Sequence, residues 1–121
     1  MPGRVPDQGA ALALGLGDEQ LARIFVRFAE ANAGFMERLR GAYEGQDWGA
    51  VRLLAHGLKG SAGNLCAEEV YEAALALERA SASLAAGGRG DPPDPSLVDR
   101  LEAALQPLLV ALGELLSRAS E

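Results

Sequence analysis

The sequence predicts an all-α fold: an antiparallel four-helix bundle with a short extra N-terminal helix. Composition is the first observation, with Ala and Leu dominant and only six Val, one Ile and no Thr among 121 residues. Helices favour the residues this chain has, and strands favour those it lacks. The second is that apolar residues recur at helical spacing in several separate stretches. The third is that most connections between these stretches are short, which makes neighbouring helices antiparallel.

Asp7 to Leu14 reads as the short leading helix, ended by Gly15 and Gly17. Asp18 is then an N-cap, with Glu19 placed to complement the helix dipole. Leu21, Ile24, Phe25, Phe28, Phe35, Met36, Leu39 and Tyr43 mark one long helix, with a kink expected across Ala31-Asn32-Ala33-Gly34. Gly45-Gln46-Asp47 is a stop followed by a cap, and Trp48 opens the next helix. Its stripe is Val51, Leu54, Ala55, Leu58, Ala62 and Leu65. A third helix spans about Glu68 to Ala86, with Val70, Ala73, Ala74, Leu77, Ser81 and Leu84 facing inward.

Residues 87–95 form the one clear loop, rich in Gly and Pro. Its Arg89-Gly90-Asp91 tripeptide is turn chemistry in an acidic chain. Two overlapping start signals follow, Asp94 before Pro95 and a capping box of Ser96 with Asp99. Leu97, Leu101, Leu105, Leu108, Leu112 and Leu115 line the last helix. Pro107 lies inside it, where a regular interior would lose about 3 kcal/mol, so a kink or break is expected there.

The chain is one domain's worth, residues 1–121 with a core at about 18–118. With 11 Lys+Arg against 17 Asp+Glu, the net charge of −6 argues against a nucleic-acid surface. No apolar run reaches the ~20 residues of a membrane helix. Ala10 to Gly17 is too short and interrupted for a signal peptide. Lone Cys66 excludes an intrachain disulfide and fits a reducing compartment, so a cytoplasmic location is expected. One modest core suggests a monomer. A start at Met1 and an end soon after the last helix suggest a freestanding bundle.

The single His56 and the single Lys59 lie three positions apart on the second helix. At ~100° per residue, His56 points about 145° from the centre of the apolar stripe, with Lys59 and Arg52 on the same flank. The imidazole is therefore expected to be exposed. Gly57, Gly60 and Gly63 share that helix, each costing roughly 0.5–1 kcal/mol relative to Ala. Gly60 and Gly63 project on the side of His56, as if cleared for another protein to approach.

A lone histidine cannot complete a zinc site, and no metal set is expected. Ser61 is five residues from His56, too far round the helix for a Ser–His dyad, and there is no nucleotide-cradling motif. Nucleophilic catalysis by His56 itself remains, with Lys59 and Arg52 placed to attract a transferred phosphoryl group. The bland alternative is an incidental surface histidine. Leu53 and Leu75 fall off their stripes and could form an exposed apolar docking patch.

The run Ala55-His56-Gly57-Leu58-Lys59-Gly60-Ser61-Ala62-Gly63-Asn64-Leu65 resembles the signature of histidine-containing phosphotransfer (HPt) domains. Gly45-Gln46-Asp47-Trp48 resembles the family's turn before that helix, and Leu77-Glu78 a pair found on the following one. The resemblance extends over about Ala10 to Leu116, but only the eleven-residue run is specific. It implies a four-helix bundle with His56 as phosphoacceptor at Nε2. It further implies that Lys59 neutralises the phosphoryl oxygens and that Gly60 leaves room for them. The implied partners are a response-regulator receiver domain, which holds Mg²⁺ and the phospho-aspartate, or a hybrid sensor histidine kinase. No cofactor is implied for this chain, and no kinase or ATPase activity of its own. A non-transferring bundle that only binds a receiver or kinase is the alternative. Cys66 stands where the family usually has Gly, so the turn is expected to differ or the helix to run on.

Overall fold

The computed structural model describes residues 18–119. Five helices follow in order: α1 Asp18–Asn32, α2 Phe35–Glu44, α3 Trp48–Asn64, α4 Glu68–Ala85 and α5 Pro95–Ala119. No strand occurs among the described residues. α1 and α2 together make the first rod, so the fold is a four-helix bundle. The leading helix expected at Asp7 to Leu14 lies outside the described residues.

The first rod is broken where a kink was expected. Gly34 takes a left-handed φ of 73°, a conformation glycine reaches without a Cβ clash. Breaking the helix frees carbonyls that need new donors. Arg38 supplies them, donating to Ala33 O at 3.1 Å and Ala31 O at 3.2 Å. Asn32, buried at the same joint, donates to Phe28 O at 2.9 Å.

α3 packs most intimately with α4, α4 with α5, and α5 closes against α1 and α2. The core is contributed by every rod: Phe25, Phe28, Leu39, Val51, Leu58, Leu77, Leu101, Leu105, Leu108 and Leu112 are all buried. Val98 is buried while Leu97, expected on the stripe, packs only partly against the core. The start of α5 is marked by its own hydrogen bonds. Asp94 Oδ1 accepts from Ser96 N at 2.9 Å and Asp94 O from Leu97 N at 2.9 Å, so the Asp94-Pro95 signal sets the start. Asp99 serves instead as an interhelical anion, 3.1 Å from Arg40 of α2, which also reaches Glu102 at 3.0 Å.

α5 is not broken at Pro107, which lies inside a continuous helix. Proline withholds its N–H from the carbonyl of Ala103, but Ala103 is exposed and water can serve that oxygen. Leu105, Leu108 and Leu112, buried on either side of it, hold the rod to the core.

Cys66 neither lengthens α3 nor alters its turn. It adopts φ 57° and takes the place of glycine in a Schellman cap. Cys66 N donates to Gly63 O at 3.2 Å, and Ala67 N to Ala62 O at 2.9 Å. Gln46 (φ 56°) does the same after α2, followed by Asp47, whose side chain caps α3 through Ala50 N at 3.1 Å. Trp48 meets Tyr43 edge-on at 5.3 Å between ring centroids. The Tyr43 hydroxyl in turn donates to Pro93 O and ties down the loop before α5.

A left-handed non-glycine residue costs about 1–2 kcal/mol, of which glycine returns part through its freer unfolded chain. Cys66→Gly is therefore expected to stabilise the fold by about 1 kcal/mol and to raise the melting temperature by about 4 °C. Thermal unfolding followed by circular dichroism checks this.

Candidate functional site

His56 sits mid-way along α3 with its side chain 61% exposed, as its position on the helix predicted. It is exposed because α3 turns Val51, Ala55, Leu58 and Ala62 inward. The imidazole is not free, however. Its Nδ1 lies 2.5 Å from Oε2 of Glu78 on α4, and Glu78 Oε1 accepts from Lys59 Nζ at 2.7 Å. One carboxylate thus bridges the lone histidine and the lone lysine across the tightest helix pair in the bundle.

Burial of the three groups is graded. Lys59 is 21% exposed and Glu78 14%. The Lys59 hydrogen bond holds the Glu78 carboxyl below its ordinary value of 4.5, against the opposing effect of burial, with the His56 hydrogen bond adding to the lowering. Glu78 is accordingly ionised at neutral pH and can only accept. The hydrogen at Nδ1 must come from the ring, and in neutral imidazole that leaves the lone pair on Nε2. Nε2 is the ring nitrogen that Glu78 does not hold, on a side chain that is mostly exposed.

The other residues singled out in the sequence divide. Gly60 is exposed, and a Cβ built there would meet nothing within 4 Å; the same holds for Gly57. No packing demand inside the chain explains either glycine. Gly63 differs, since a Cβ there would lie 3.7 Å from the Tyr71 ring of α4. Arg52, one turn before His56, is half-buried and takes no part in the network around Glu78. Ser61 donates back to Gly57 O at 3.1 Å, so its hydroxyl is occupied by its own helix. Leu53 is 62% exposed, one turn before His56, whereas Leu75 is half-buried.

Glu78 is the site residue that spacing on α3 could not reveal. Leu77-Glu78 is visible as a pair in the sequence, but only the α3–α4 packing brings the carboxylate to His56. Buried Leu77 fixes the rotation of α4, and buried Ser81 one turn on donates to Leu77 O at 2.9 Å.

A helical bundle presenting one oriented imidazole on an exposed helix face defines a class of histidine-bearing helical domains. The family model described as the Hpt domain matches residues 20–111, and the chain belongs to that family. Hpt domains have a phosphotransfer-type function in two-component signalling and interact with receiver and kinase domains. No significant match was found among curated proteins or among solved structures. Among the described residues, no helix is long and apolar enough to cross a membrane.

The lowered Glu78 value has a consequence for stability. A carboxyl depressed in the folded state stabilises the fold above its ordinary value of 4.5, and that contribution is lost as pH falls through the folded value. Below about pH 4.5 the wild-type urea midpoint is expected to fall more steeply than that of Glu78→Gln, which has no proton to take up. Parallel slopes for the two proteins would show that Glu78 is not held ionised by its partners.

Proposed function

We propose that the chain is a histidine phosphotransfer protein of a two-component phosphorelay, taking a phosphoryl group from the aspartate of a receiver domain onto His56 and returning it. The observation that carries this is the Glu78 carboxylate on His56 Nδ1, which leaves Nε2 as the exposed nucleophile. The partner is a response-regulator receiver domain or a hybrid sensor histidine kinase, and the setting is cytoplasmic, in keeping with the lone free thiol.

In the forward step the Nε2 lone pair attacks phosphorus in line with the bond to the aspartyl oxygen. The N–P bond forms, the P–O bond breaks, and the aspartate leaves as a carboxylate. The ring keeps its Nδ1 hydrogen and acquires positive charge, which the Glu78 carboxylate balances at hydrogen-bond distance. Lys59 uses one of its three N–H donors on Glu78 and turns the others to the phosphoryl oxygens. Mg²⁺ bound by the receiver domain would neutralise phosphoryl charge from the other side; this chain contributes no ligand to it. Return of the group is the same step reversed.

Gly60 gives the incoming domain close access to the helix backbone. Because nothing in the chain contacts its position, Gly60→Ala is expected to stabilise α3 by roughly 0.5–1 kcal/mol. Gly60→Leu is expected to keep the fold and slow transfer by obstructing the approach. Stability and activity should thus move in opposite directions at this one position.

The direct test is transfer from a panel of radiolabelled, phosphorylated receiver domains. Wild type should become labelled, His56→Gln should not, and Lys59→Ala should transfer at least about tenfold more slowly, the equivalent of about 1.4 kcal/mol in the barrier. Stable binding of a receiver with no label on His56 would identify a non-transferring module instead.

A further inference from the structure

Glu78 is bonded to Nδ1, the ring nitrogen that takes no part in the attack on phosphorus, so the bond outlasts that attack. Once Nε2 carries a phosphoryl group, the ring is a cation that still holds its Nδ1 hydrogen. Open to water, such a ring gives the hydrogen up as the pH rises. Here the hydrogen faces Glu78 Oε2 at 2.5 Å, on a largely buried side chain. A carboxylate bonded to the charged form of a group favours that form. Glu78 does not take the hydrogen for itself, since Lys59 at 2.7 Å keeps it an anion and holds its carboxyl below the ordinary value.

The other charged groups around α3 are engaged or stand apart. Arg38, Arg40 and Tyr43 of α2 are bonded to the carbonyls of Ala31 and Ala33, to Asp99 and Glu102, and to Pro93 O. Glu37 and Glu44 of α2 are exposed, as is Arg79 of α4. Arg27 of α1 lines a depression with Ser61 and Asn64, more than a turn beyond His56. Arg52 of α3 takes no part in the network. Among the described residues, Glu78 is the anion paired with the ring.

That hydrogen decides what departs when the N–P bond breaks. With Nδ1 protonated, the electron pair returns to Nε2 and the ring leaves as neutral imidazole. With Nδ1 bare, the ring would have to leave as imidazolate, the anion of a very weak acid, and the bond would break slowly. We propose that Glu78 sets the lifetime of the phosphoryl group on His56: by keeping the hydrogen on Nδ1 it makes neutral imidazole the leaving group at and above neutral pH, so that the chain discharges promptly instead of storing the group. The inference rests on His56 as the phosphoacceptor. Glu78 is a positioning residue here, acting on the N–P bond only through the ring. In discharge to water, the water oxygen bonds phosphorus, the N–P bond breaks with its pair going to Nε2, and the water's protons leave with inorganic phosphate. In discharge to a receiver domain, an aspartyl oxygen takes the place of water.

The test is the hydrolysis of phosphohistidine in the full chain, phosphorylated with phosphoramidate, freed of the donor and followed by ³¹P NMR from about pH 5 to about pH 10. Glu78→Gln keeps the side chain's shape and an acceptor for Nδ1 but removes the charge. At about pH 8 its phosphohistidine should last at least about tenfold longer than that of wild type, and its hydrolysis should slow at least about one pH unit earlier as the pH rises. Lys59→Met takes the competing cation from Glu78 and should displace the profile the opposite way, which a general loosening of the bundle would not do. Coincident pH profiles for wild type and Glu78→Gln would overturn the inference and leave His56 standing as phosphoacceptor. A wild-type chain that neither phosphoramidate nor a phosphorylated receiver domain labels on His56 would overturn both.

Discussion

The Glu78 carboxylate is the constraint on which the rest of the site depends. It comes from α4, reaches α3, and uses its two oxygens on two different cations or donors, His56 Nδ1 and Lys59 Nζ. An exposed imidazole on an isolated helix would sample both tautomers and several rotamers. Held at Nδ1 by an ionised acceptor, it has one nitrogen left for chemistry and one direction in which to offer it. The same bond makes the α3–α4 pair part of the site, so that packing at Leu77 and Leu58 becomes a condition of where Nε2 points. Core and chemistry are joined through one side chain.

The surface around this point is prepared by subtraction. Gly57 and Gly60 have no internal reason to lack a side chain, and helices ordinarily disfavour glycine. Their cost falls on the bundle, which offsets it with a core drawn from every rod. A chain carrying a net charge of −6 still offers a local combination of one lysine and one histidine to an anionic group. Long-range repulsion is screened beyond about a Debye length, so the local arrangement governs the encounter.

Much of this was legible in the sequence, and the reasons are specific. His56 could be placed on the exposed side because the α3 stripe is regular, and the glycines could be recognised as costly for the same reason. The Gly34 break lay within the segment where a kink was expected, although the compensating role of Arg38 has no signature in spacing. Of the kink or break expected at Pro107, the break does not occur: buried Leu105 and Leu108 hold the helix to the core across the missing hydrogen bond. At Cys66 the Schellman hydrogen bonds, with Leu65 and Ala67 buried on either side, accompany a left-handed conformation that glycine would take without strain. Glu78 required the tertiary structure, since no periodicity on one helix says which residue of its neighbour will meet it. Leu75 shows the same limit, an off-stripe leucine half-covered by packing that one helix cannot foretell.

If Glu78 reserves Nε2 of His56 as the reacting atom, that nitrogen alone carries the phosphoryl group. Phosphorylation of ¹⁵N-histidine-labelled protein by phosphoramidate, followed by ³¹P and ¹⁵N NMR, measures which ring nitrogen carries the group. Phosphorus is expected to couple to Nε2, with Nδ1 still protonated. A phosphoryl group on Nδ1, or a phosphoramidate signal that persists in His56→Gln, would contradict it.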